Sequence, residues 1–152
     1  MKKKVNGIWF FGYSGAGKTF ASKLVSKKIK NSIVIDGDDI RKYISYDLTY
    51  IKKDRIIQTK RILGFAKICI NQNFFPIIST SFLSKGVSNL VKKNNIKIIE
   101  IKRNKSELFK KVKSQKNVVG IDIFYENFPR KKIFNDKNFL NKINKLLNFL
   151  SS

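Results

Sequence analysis

Residues 12–19 read Gly-Tyr-Ser-Gly-Ala-Gly-Lys-Thr and fill every fixed position of the pattern G-x-x-x-x-G-K-[ST], a loop that binds nucleotide phosphates. Glycines let the backbone curl until successive N–H groups point at phosphate oxygens. The helix that follows adds the positive end of its dipole. Gly12, Ser14, Gly15, Ala16 and Gly17 would supply that cradle. Lys18 would reach the β- and γ-phosphates, and the Thr19 hydroxyl would hold Mg²⁺. The flanks suit the motif: the apolar run Ile8-Trp9-Phe10-Phe11 precedes it as a buried strand, and residues 20–29 follow with helical amphipathicity. Such a loop specifies a nucleoside triphosphate without specifying the reaction. No Asn-Lys-x-Asp sequence for guanine is present, which disfavours a GTPase.

A second cluster, Asp36-Gly37-Asp38-Asp39-Ile40-Arg41, follows the next apolar run. In an open α/β sheet, ligands bind beyond the carboxyl ends of the strands, so this acidic turn should face the γ-phosphate. A carboxylate there, Asp36 or Asp38, can coordinate Mg²⁺ or accept the proton of an attacking hydroxyl. Asp38 or Asp39 could equally cap a helix. Arg41 could grip an anionic acceptor. Arginine is scarce, five residues against 28 lysines, so each retained arginine suggests a need for its planar fork. Two of them, Arg55 after Asp54 and Arg61 after Lys60, stand at the start of a long helical pattern.

Alternating elements must position these residues. Strands are expected at 5–11, 32–35, 75–79, 96–101 and 132–134. Helices are expected from the phosphate loop to about residue 30, briefly after Asp39, and over 52–71, 87–93, 106–113 and from 136 or 137 to 150. The helix over 52–71 carries Ile56, Ile57, Ile62, Leu63, Ala66 and Ile70 as its apolar stripe. Such alternation predicts an α/β fold of one domain over 1–152, a three-layer α/β/α sandwich with a mostly parallel five-stranded sheet, as in P-loop NTPases. Asparagine-rich patches near 71–73 and 94–95 read as turns. Residues 115–130 follow neither period, and a stretch of that length in a compact domain is often a functional lid.

The bulk composition excludes more than it assigns. A single cysteine, Cys69, and no histidine argue against a disulfide or a zinc site. No apolar run approaches the ~18 residues of a membrane span, and the N-terminal apolar run is too short for a signal peptide, so the expected location is cytoplasmic. The net charge of +23 raises the question of nucleic acid. It comes from lysines spread along the whole chain, in a profile that matches drift in an AT-rich genome, so a solvated lysine coat is the preferred reading. The charge would still steer anionic substrates to the protein.

In order, the phosphate loop, Asp36-Gly37-Asp38-x-x-Arg41, Tyr50 ahead of Asp54-Arg55, the pair Lys60-Arg61 and Val119-Gly120-Ile121-Asp122-x-x-Tyr125-Glu126 resemble the adenylylsulfate (APS) kinase family over about residues 5–136. The resemblance implies transfer of the γ-phosphate of ATP to the ribose 3′-hydroxyl of APS, giving PAPS, with Mg²⁺, a closing lid over about 103–130 and often a homodimer. Carried over by position, Asp36 and Asp38 would lie by the acceptor hydroxyl and metal. Arg41 and Arg55 would hold the acceptor's anionic groups, and Tyr50 would stack on its base. Gln58, where the family has Asn, and Ile121 would also bind the acceptor. Arg103, Lys110 and Gly120 would belong to the lid.

The resemblance has departures. The family lid pattern Arg-Asp-x-Lys-Gly-Leu-Tyr here reads Arg103-Asn104-Lys105-Ser106-Glu107-Leu108-Phe109. Val118 stands where a second stacking ring is expected, and a Ser-Pro-Tyr-Arg element after the third strand is replaced by 79–84. A related kinase with a different hydroxyl acceptor (a sugar, a polyol or a nucleotide-linked group) is therefore the alternative, followed by a non-catalytic or nucleic-acid-binding module.

Overall fold

A computed structural model describes residues 4–108 and 116–151 of the chain. Five strands form one sheet: β1 (Gly7–Phe11), β2 (Ser32–Asp36), β3 (Phe75–Thr80), β4 (Ile96–Lys102) and β5 (Lys131–Phe134). All neighbours are parallel, in the order β2-β3-β1-β4-β5. The helices are α1 (Lys18–Ser26), α2 (Gly37–Tyr43), α3 (Lys52–Asn71), α4 (Lys85–Lys93), α5 (Lys105–Leu108) and α6 (Phe139–Ser151).

Parallel strands covered on both faces need continuous apolar sequence, and β1 is buried at every position. Its alternation splits the core in two. Trp9 and Phe11 pack with Ile62, Leu63 and Ala66 of α3 and Val87 and Val91 of α4. Ile8 and Phe10 pack with Ala21 and Val25 of α1 and Ile143 and Leu146 of α6. The three-layer expectation holds, and the sheet is wholly parallel.

Element ends differ slightly from the sequence reading. The helix expected to reach about residue 30 stops at Ser26, and the C-terminal helix begins at Phe139, three residues after Asp136. Asp136 instead accepts from the Asn138 amide at 2.9 Å, making the turn that leads into the helix. Of the helix expected over 106–113, the part to residue 108 is seen as α5, and 109–113 lie outside the described residues. Asn31, Asn73 and Asn95 take left-handed φ of 53°, 62° and 55° in the turns before β2, β3 and β4. Asparagine tolerates that conformation better than most side chains, which is why the asparagine patches read correctly as turns.

The apolar stripe on α3 is only partly as expected. Ile62, Leu63 and Ala66 are buried, but toward the N-terminus the buried positions are polar, Gln58 and Thr59. At that end Ile56 still packs against the core, while Arg55, Gln58 and Thr59 face a cleft. No helix among the described residues is long and apolar enough to cross a membrane.

Candidate active site

The strand order reverses about β1, with β3 and then β2 on one side and β4 on the other. A crevice opens at such a switch point beyond the carboxyl ends of the strands. The register sets Asp36 beside Ser79 and Phe11 beside Thr80 at that edge. A cleft of about 580 Å³ lies there.

One end of the cleft is the phosphate loop. Gly12 admits no side chain, because a Cβ would stand 2.3 Å from the Ile101 carbonyl oxygen on β4. Gly17 sits at φ 109° against Asn135 and caps α1 without a side chain, so its amide edge stays open to a ligand. Two outside contacts hold the loop in shape: Asn135 Nδ2 donates to the Ala16 carbonyl at 2.8 Å, and Arg103 Nη1 donates to the Gly15 carbonyl at 3.3 Å. Lys18 Nζ donates to the Tyr13 carbonyl at 2.9 Å. Burial pushes its ammonium down to about 8, against the opposing pull of the Asp38 and Asp36 carboxylates. Ser14, Gly15, Lys18 and Thr19 all line the cleft.

The wall beside it is the end of β2 and the first turn of α2. Asp36 is the N-cap of α2 and accepts from the Asp38 amide at 2.9 Å. The capping role weighed for Asp38 or Asp39 thus falls to Asp36, whose extended φ and ψ suit it. Burial raises the Asp36 carboxyl, and the Asp38 amide bond and Lys18 act the other way. Asp38 is exposed on the first turn, and both carboxylates line the cleft with Lys18 and Thr19.

The far end collects Arg41, Tyr50, Arg55 and Gln58. Gln58 is buried, its Nε2 donates to the Gly37 carbonyl at 2.7 Å, and its Oε1 has no partner among the described residues. The bond to a carbonyl orients the amide, so Oε1 is left as an acceptor. Arg41 lies over the Tyr50 ring at 4.4 Å. Arg55 donates from Nη1 to Ser81 Oγ at 3.1 Å and from Nη2 to the Asn117 carbonyl at 2.9 Å, tying α3 to the loop after β3 and to the segment before Val118. Burial lowers its guanidinium from the ordinary arginine range.

Thr80 and Ser81, in the stretch 79–84 that replaces the family element, and Lys116 and Asn117, in the stretch expected to be a lid, also line the cleft, though sequence reasoning gave none of the four a role. Val118 and Val119 line the cleft, whereas Ile121 is 44 % exposed outside the lining. Gly120, at φ 96°, turns the chain between them, with its amide on the Ile123 carbonyl. Lys110 lies outside the described residues. The return from this turn is strongly anchored. Tyr125 stacks on Tyr13 of the phosphate loop at 5.1 Å, and its hydroxyl donates to the Ser81 carbonyl at 2.8 Å. Arg130 pairs with Glu100 of β4 at 2.8 Å, both nearly buried.

The donor set fits Mg²⁺. That ion takes one or two protein oxygens and fills its shell with phosphates and water. Thr19 and Asp36 present hard oxygens to the cleft, and no group of three His, Cys, Asp or Glu side chains suited to another metal occurs among the described residues.

Comparison with known proteins agrees with this geometry. A family model described as adenylylsulphate kinase matches residues 4–133. The adenylyl-sulfate kinase of Clostridium acetobutylicum is 28% identical over 152 residues, covering 88% of this chain and 75% of that protein. The cytidine diphosphoramidate kinase of Campylobacter jejuni is 27% identical over 142 residues, covering 83% of each. The solved Mycobacterium tuberculosis APS kinase CysC, in complex with AMPPNP and APS, shares the fold at a TM-score of 0.80 and 18% identity, over 98% of this chain and 99% of that one. With a complete phosphate loop, a kinase fold and a family match over most of its length, the chain belongs to the adenylylsulphate kinase family and is an ATP-dependent kinase.

Proposed function

We propose that the protein transfers the γ-phosphate of ATP to the 3′-hydroxyl of APS, giving PAPS. The observation that carries this reading is the single cleft. It joins Lys18 and Thr19 at one end to Arg41, Tyr50, Arg55 and Gln58 at the other, with Asp36 and Asp38 between.

The roles follow from position. The loop amides and Lys18 bind the β- and γ-phosphates and neutralise charge that builds up in transfer. Thr19 and Asp36 would hold Mg²⁺, which supplies further charge neutralisation when bound. The acceptor oxygen attacks the γ-phosphorus, the bond to the β,γ-bridging oxygen breaks, and ADP leaves. The hydroxyl proton passes to a carboxylate of the Asp36–Asp38 turn. Tyr50 offers a ring to a base, Gln58 lines the acceptor end with its amide held on the Gly37 carbonyl, and the spare N–H groups of Arg41 and Arg55 meet the acceptor's anionic part.

A second reading keeps the enzyme and changes the acceptor to another nucleotide-linked hydroxyl. Two observations favour it: an aliphatic Val118 in the cleft lining where a stacking ring is expected, and a relative of similar likeness whose name specifies cytidine diphosphoramidate. The deciding experiment is an acceptor screen with ATP and Mg²⁺, APS included. PAPS formation dependent on Lys18 supports the first reading; no turnover at saturating APS, with turnover of another acceptor, selects the second.

A further inference from the structure

Three of the five arginines converge on one short segment that has no regular structure, residues 45–50 between α2 and α3. Arg61 grips Asp47 with a two-pronged bond, Nη1 to Oδ1 at 2.6 Å and Nη2 to Oδ2 at 2.8 Å, and Nη1 also reaches the buried Ser45 hydroxyl at 3.3 Å. Arg41 Nη1 donates to the Leu48 and Thr49 carbonyls at 3.1 and 2.8 Å. Arg55 Nε donates to the Tyr50 carbonyl at 2.8 Å. Asp54 completes the set by accepting from both the amide and the hydroxyl of Thr49, at 2.7 and 2.6 Å. The segment carries Tyr50 into the cleft, where the ring is 54 % exposed with two guanidiniums over it, at 4.4 and 5.4 Å.

Arg41 and Arg55 line the cleft, but Arg61 and Asp47 do not. We propose that Arg61, through its fork on Asp47, is a positioning residue for the acceptor: it holds residues 45–50 so that the Tyr50 ring and Arg41 stand ready before the acceptor arrives. The inference rests on the reading of this end of the cleft as the acceptor site. Its physical basis is preorganisation, since an ordering cost met within the free enzyme does not fall on ligand binding. A bland alternative is an exposed ion pair of no consequence, as most are. The geometry argues otherwise, because a planar fork on a carboxylate is the arrangement in which an exposed pair is effective, and one prong also ties the pair to a buried hydroxyl. A lysine in place of Arg61 keeps the charge but lacks the planar fork that matches both carboxylate oxygens.

The test compares wild type with Arg61→Ala and Arg61→Lys by steady-state kinetics with ATP and APS, and by amide hydrogen exchange. In Arg61→Ala, the KM for APS should rise about fivefold, the upper range for losing an exposed pair, with kcat and the KM for ATP within about twofold of wild type. Amides of 45–51 should exchange faster while those of 12–19 do not change. Arg61→Lys should recover only part of the APS effect. An equal rise in both KM values, or full recovery by lysine, would reduce Arg61 to a general structural role. If wild type turns over no APS, the acceptor assignment falls, and exchange alone decides: wild-type rates at 45–51 in Arg61→Ala overturn the positioning role whatever the acceptor.

Discussion

Lys18 should make ATP binding depend on pH in the alkaline range. Its ammonium is held in a partly closed loop end, on the Tyr13 carbonyl, and burial lowers it to about 8. A docked triphosphate brings several negative charges to that ammonium, which restores the ordinary lysine range, above 10. The bound state then has the higher proton affinity, so binding takes up a proton and weakens as pH rises through 8. At pH 8 half of the lysines in the free protein are neutral, and binding should take up about 0.5 proton per site, against about 0.1 at pH 7 and about 0.9 at pH 9. Relative to the acid limit, affinity should fall about twofold at pH 8 and about tenfold at pH 9. Titration calorimetry of MgATP in two buffers of different ionisation enthalpy reads the uptake directly, and Lys18→Met serves as the isosteric control. Uptake below about 0.1 proton at pH 8, or the same uptake in Lys18→Met, would refute the assignment of a desolvated ammonium on the phosphates.

Two further outcomes follow from the same structure. Asp36→Asn should lower kcat by roughly 10²- to 10⁴-fold and leave the acceptor KM within about threefold; a normal kcat with a raised KM would make Asp36 a binding residue. Glu100→Ala strands the Arg130 guanidinium, 10 % exposed between Phe11 and Phe128, and should cost about 3–5 kcal/mol in urea unfolding. A loss under about 1 kcal/mol would mean that water reaches Arg130 freely.

The arginines separate what is legible in a sequence from what is not. Their scarcity among lysines singled out Arg41, Arg55 and Arg61 as side chains that need a planar fork, and each does make forked or multiple bonds. For Arg41 and Arg55 the expected partner was an anionic acceptor, and none was named for Arg61. In the fold, backbone carbonyls and Asp47 take many of those donors. Asp54, next to Arg55 in the chain, accepts instead from the amide and hydroxyl of Thr49. Contacts of this kind depend on which turn faces which helix. Lys116 and Asn117 fall in the 115–130 stretch expected to be a lid, but a lysine among 28 carries no signal of its own, and the Arg55 bond to the Asn117 carbonyl spans 62 residues.

By itself, the sequence determined everything that depends on short-range backbone geometry and periodicity. The glycines of 12–19 allow the positive φ that a phosphate cradle needs, the continuous apolar run of β1 requires cover on both faces, and the α3 pattern sets a helix at Lys52–Asn71. The strand-end position of Asp36 followed from the same logic. Tertiary structure alone decided how the other end of the cleft is built: that Gln58 fixes its amide on the Gly37 carbonyl, that three guanidiniums shape residues 45–50, and that Tyr125 and Arg130 lock the return segment onto Tyr13 and Glu100. The physical reason is range. Dihedral preference and burial period act between near neighbours in the chain, whereas hydrogen-bond partners and desolvation are set by residues that meet only after the sheet has assembled.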